Sequence, residues 1–254
     1  MIRRIPAIFA ALWLTAAAPA WAGWYVVNNY VGLVGTYPVH VSLQRYRFGP
    51  YISLLGSYYY DRQRAPIPLY GTYAADSLSA CEILNAQDYD NSIIRGSATA
   101  PDMSACPFQL SARGDELVGH WRRGDKRYPV RLRRSASLDD SASPPSVLGT
   151  PDIPFWGQTE THSFIGVYQR SGGDLALSGV KVLDKRSGKV VQVLNPQRQG
   201  CRFGFFMTPI YMNLENGENR SRVLLNCAPG DGPGDKTIEY RLDADSQRYR
   251  PVDD

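Results

Sequence analysis

The stretch Tyr58-Tyr59-Tyr60-Asp61-Arg62-Gln63-Arg64-Ala65-Pro66-Ile67-Pro68-Leu69-Tyr70-Gly71 decides the fold. An aromatic run of high strand propensity meets a polar turn, and a short apolar return ends at a glycine, which predicts a β-hairpin. Upstream, Gly35-Thr36-Tyr37-Pro38-Val39-His40-Val41-Ser42-Leu43 places apolar residues at odd positions, the period of a half-buried strand. Downstream, Leu117–Arg122 and Arg127–Arg133 flank a Gly-Asp turn. Short strands at regular spacing, separated by turn residues, predict an antiparallel barrel or sandwich.

The N-terminus reads as an export signal. Arg3 and Arg4 precede an apolar core from Ile5 to Leu14, and Ala20-Trp21-Ala22 forms a small-x-small cleavage site. Residues 1–22 are thus expected to leave, and the product is expected to be soluble in the periplasm or secreted, with no stable membrane insertion. The chain has 28 basic and 24 acidic residues, and two of the basic ones lie in the signal. So small an excess calls for no nucleic acid partner.

All four cysteines follow the signal, and an even count in an oxidising compartment predicts disulfides. Four cysteines allow three connectivities. Their local spacing favours Cys81 with Cys106 and Cys201 with Cys227, each closing a loop worth about 3–4 kcal/mol. Between the pairs, residues 135–154 are rich in Ser, Pro and Asp and read as a linker. The expected organisation is an all-β chain of two antiparallel domains, 23–134 and 155–254. In the second, Lys185-Arg186-Ser187-Gly188 reads as a hairpin connection with Gly188 at positive φ.

Catalytic signatures are missing from the sequence: it has no G-x-S-x-G, no H-E-x-x-H and no phosphate-binding glycine loop. Glu160 and His162 form an acid–histidine pair at strand spacing, without the further groups that acid–base or metal chemistry needs. Asn213 to Glu218 form an oxygen-rich turn that lacks the aspartates of a calcium loop. Arg113-Gly114-Asp115 and Arg123-Gly124-Asp125 spell an adhesion tripeptide, but glycine before aspartate is also turn chemistry. The sequence therefore suggests no enzyme, metal or cofactor. What stands out is tyrosine: 16 of them, with Tyr51, Tyr58, Tyr59, Tyr60, Tyr70 and Tyr73 around the opening hairpin. Tyr58 and Tyr60 share one strand face and Tyr59 takes the other. Tyrosine stacks on sugars and anchors interfaces, so Tyr58, Tyr59, Tyr60, Arg62 and Arg64 are the candidate partner-binding residues.

The first half, from Gly35-Thr36-Tyr37-Pro38 through Gly56-Ser57-Tyr58-Tyr59-Tyr60 and Gly119-His120-Trp121, resembles a β-domain of exported Gram-negative proteins. The second half, with Phe164-Ile165-Gly166-Val167-Tyr168 and Cys201-Arg202-Phe203-Gly204, resembles the single-blade propeller-like domain of periplasmic inhibitors of lysozyme-like cell-wall hydrolases. The resemblance implies a periplasmic inhibitor or immunity factor whose partner is a peptidoglycan hydrolase. A cell-envelope glycan-binding module without catalytic activity is the alternative. Ser178-Gly179-Val180 lies in a strand pattern without the tyrosine that follows in the inhibitory loop of that family.

Overall fold

The computed structural model describes residues 25–46, 51–89, 102–139, 141–142, 144–171, 174–203, 222–229 and 236–252. The expected signal at 1–22 and the oxygen-rich turn at 213–218 lie outside them. The chain is all-β. Eight strands follow one another as an antiparallel meander: β1 (Tyr25–Val34), β2 (Tyr37–Tyr46), β3 (Leu54–Tyr60), β4 (Ile67–Ala74), β5 (Ser77–Glu82), β6 (Phe108–Arg113), β7 (Glu116–Arg123) and β8 (Lys126–Asp139). Strand β8 returns to pair along β1, from Val26 opposite Asp139 to Val34 opposite Val130, and closes a barrel. Closure leaves no unpaired edge in these eight strands.

Alternation sets the interior. Leu54, Tyr58, Leu69, Leu78, Leu117 and Leu132 point inward and are buried. An eight-stranded barrel is just wide enough for side chains to fill, and these residues fill it. The hairpin read from Tyr58 to Gly71 is present, with Tyr58 opposite Ile67. Gly35-Thr36 is a turn rather than part of the second strand, and Gly35 has φ +63°. Both Arg-Gly-Asp tripeptides are also hairpin turns. Gly114 and Gly124 take positive φ while the aspartates do not, the pattern of a type II′ turn.

The second half forms two four-stranded antiparallel sheets. After the short β9 (Ser146–Leu148), which pairs antiparallel with the end of β8, the first sheet contains β10 (Asp152–Gln158), β11 (His162–Ser171), β12 (Asp174–Asp184) and β13 (Val190–Leu194). The other contains β14 (Cys201–Phe203), β15 (Arg222–Pro229), β16 (Lys236–Asp243) and β17 (Arg248–Pro251). Phe164, Leu177 and Val182 of the first sheet share a core with Val223, Leu225 and Tyr240 of the second. Disulfides join Cys81 to Cys106 and Cys201 to Cys227, the pairing that local spacing favours.

Much of the stretch read as a linker, 135–154, is strand. Residues 135–139 complete β8, 146–148 form β9, and β10 begins at Asp152. Ala136 and Leu138 are both buried: Ala136 lies beside Gly149, and Leu138 is covered by the second half. Val27, Leu55 and Leu138 from the barrel's outer face lie in the same core as Phe155 and Phe164. Side chains also fasten the halves together. The Ser57 hydroxyl donates to the Pro154 carbonyl at 2.8 Å, and Trp156 Nε1 donates to the Gly56 carbonyl at 2.7 Å. Asn29 Nδ2 donates to the Asp152 carbonyl, and Asn29 Oδ1 accepts from the Asp152 N–H at 3.1 Å.

Candidate functional site

One end of the barrel gathers four connections: β1–β2, β3–β4, β5–β6 and β7–β8. Inward positions near this end carry Tyr37 and Tyr60 on one side and Trp121 and Tyr128 on the other. The Tyr37 ring meets Tyr60 edge-on at 6.0 Å and Tyr128 edge-on at 6.3 Å, while Tyr128 stacks on Trp121 at 5.7 Å. Gly35 lets the β1–β2 turn lie against the Tyr128 ring, where a Cβ would be 3.1 Å from Cδ1. Edge-to-face and offset contacts of this kind are the favoured aromatic geometries.

Beneath the rings sits Glu82, its side chain only 2% exposed. Glu82 Oε1 accepts from the Tyr58 hydroxyl at 2.6 Å and from Trp121 Nε1 at 2.8 Å, and Oε2 pairs with the Arg123 guanidinium. Burial first, and then the Glu82 carboxylate, hold the Tyr58 hydroxyl protonated far above the usual range for tyrosine. Both carboxylate oxygens are occupied by donors, so Glu82 fixes the positions of its neighbours. Beside it opens a cleft of about 480 Å³ whose lining includes Glu82, Pro107, Arg122 and Arg123. The arrangement offers a rigid aromatic rim, one exposed ring (Tyr37, 54% exposed) and a guanidinium.

The five candidate partner-binding residues do not form one surface. Tyr58 lies in the barrel core, 1% exposed, and is a packing residue held by Glu82 rather than a contact for a partner. The period-two alternation that pairs it with Tyr60 is present, and Tyr60 is half-buried at the rim. Tyr59 faces outward and stacks on His40, whose Nδ1 is 2.7 Å from Asp61 Oδ1. Arg62 is exposed at the hairpin tip. Arg64 is a clamp between the halves: its guanidinium donates to the Lys185 carbonyl at 2.9 Å, and its carbonyl accepts from Ser163 Oγ at 2.5 Å. Gly188, at φ +72° as its hairpin requires, is the surface on which Arg64 rests, and any Cβ there would strike the guanidinium.

Reading the sequence alone misses Tyr37, Glu82, Trp121 and Tyr128 as a group. Each sits in inward phase at a strand end, but only barrel closure shows that those ends converge. Glu160 and His162 do not form a same-face pair. Thr159 to Thr161 make the β10–β11 turn, closed by Thr159 N–H to the His162 carbonyl at 2.9 Å, so Glu160 stands exposed before the strand starts. Burial lowers the proton affinity of His162, against the pull of Asp184. Among the described residues, no three His, Cys, Asp or Glu side chains are grouped to hold a metal. No helix among them is long and apolar enough to cross a membrane.

Comparison with known proteins adds no relative: no protein-family description, no curated protein and no solved structure matches the chain.

Proposed function

We propose that this protein is a non-catalytic binding protein of the bacterial cell envelope. In the most concrete reading it is a periplasmic inhibitor or immunity factor of a peptidoglycan hydrolase. The contact surface is the aromatic rim of the barrel. The observation that carries this reading is Tyr37, an exposed ring whose orientation is set by Tyr60 and Tyr128 on either side. An anchor held in place before binding loses little conformational freedom on association, and Tyr, Trp and Arg are the residues that dominate interface energies. Two disulfides suit an oxidising compartment.

A second reading, a glycan-binding module, is favoured by the cleft that opens beside the rim. Titration against a panel of muramidase-type hydrolases and against purified muropeptides separates the two. Inhibition of a hydrolase supports the first and muropeptide binding the second. In either case Tyr37→Ala is expected to weaken binding by about 2 kcal/mol or more, about thirtyfold, with the melting temperature unchanged. Undiminished binding by that variant would remove the rim from consideration.

A further inference from the structure

We propose that the outward face of β7 and of β8 from Lys126 to Arg133 binds an acidic polysaccharide, at a surface that faces away from the barrel interior and shares Arg122 with the lining of the cleft beside the aromatic rim. Between Arg113 and Arg134 the chain carries eight basic and three acidic side chains, a net of +5. The whole chain is +4, so the remainder is −1, and the positive charge is concentrated on this one part of the barrel.

The register places like charges together. Arg122 lies directly opposite Arg127, both in outward phase and both exposed. The Arg127 guanidinium also comes within 3.5 Å of His120 Nδ1 on the same face. Like charges directly opposite across a strand pair are unfavourable to the fold. A bound anion turns that repulsion into attraction. Arg131 has Glu116 as a partner, at 3.2 Å. Arg122, Arg127 and Arg133 have no carboxylate within ion-pair distance among the described residues.

The shape and chemistry of the face select among anions. The second half covers β1, β2, β3 and the end of β8 around Leu138 on the outside of the barrel, and it leaves β7 and β8 from Lys126 to Arg133 open. Alternate residues on a strand are about 7 Å apart, so Arg127 to Arg133 makes a strip about 20 Å long. That length suits an extended chain with carboxylate or sulfate groups, which guanidinium groups bind through paired hydrogen bonds. Between the arginines, the outward residues are Val118, His120 and Pro129. No tyrosine, tryptophan or phenylalanine is there, and a single imidazole, His120, is too little to stack successive bases, which disfavours single-stranded nucleic acid.

The test uses heparin as the probe polysaccharide, with affinity measured by calorimetry at 50 and 200 mM salt. The protein is expected to bind, more weakly at the higher salt. The triple variant Arg122→Gln, Arg127→Gln, Arg133→Gln should bind at least tenfold more weakly and with a shallower salt dependence. Its melting temperature should be little changed, because relief of the Arg122–Arg127 opposition offsets the loss of Arg133 opposite Glu116. Undiminished binding by the triple variant would overturn the proposal, as would no heparin binding at 50 mM salt or equal binding of neutral dextran. Tighter binding of single-stranded DNA than of heparin would overturn it in favour of a nucleic acid partner.

Discussion

Phe155→Ala is expected to lower the unfolding free energy by about 3–5 kcal/mol, in a single transition that takes the barrel and the second half together. Phe155 is fully buried, and its ring packs on Gly166, where a Cβ would be 2.8 Å from Cζ. Glycine makes room for the ring there, so alanine at 155 leaves a void that neighbouring backbone must move to fill. The same core contains Val27, Leu55 and Leu138 of the barrel wall. Loss of the second half would therefore expose the outer face of β1, β3 and β8. Far-ultraviolet circular dichroism and tryptophan fluorescence should give coincident, shifted urea transitions. Two transitions, with the barrel's at its original midpoint, would show that the halves fold separately.

Replacing Glu82 by Ala is expected to cost about 4 kcal/mol, at about 1–3 kcal/mol for each buried donor left without an acceptor. The donors are the Tyr58 hydroxyl and the Trp121 N–H, both inside the barrel. Arg123 also loses its partner but is half-exposed, so water replaces the carboxylate there at little cost. Glu82→Gln keeps one acceptor oxygen and should lose markedly less. Urea midpoints measure both effects. A loss below about 1 kcal/mol for Glu82→Ala would mean that these hydrogen bonds do not hold the rim.

Local features were readable from the residues alone. The opposite faces of Tyr58 and Tyr59 follow from strand geometry, the disulfides from cysteine spacing, and the Gly188 connection from turn chemistry. Long-range features were not. Alternation assigns each residue a face, but nothing in the β1 or β8 sequence states that these strands pair. Where both faces of a strand are covered, alternation itself disappears. Leu54, Leu55, Gly56, Ser57 and Tyr58 are all buried in succession, Leu54 and Tyr58 against the barrel interior and Leu55 and Ser57 beneath the second half. The same cover explains residues 135–154. Ser135-Ala136-Ser137-Leu138 is a strand of small residues, and its serines give it the composition of a linker. The rim was hidden for the related reason that Tyr37, Glu82, Trp121 and Tyr128 meet only after closure.

The most direct measurement of the rim's role is site-specific photo-crosslinking. A photoreactive phenylalanine analogue is placed at Tyr37, and in a second variant at Val193, an exposed position on β13. Each protein is mixed with a periplasmic extract, irradiated, and its adducts identified by mass spectrometry. The Tyr37 probe is expected to capture a peptidoglycan hydrolase, or a muropeptide on the second reading, and the Val193 probe neither. Capture of such a partner from Val193 alone, with none from Tyr37, would contradict a role for the rim.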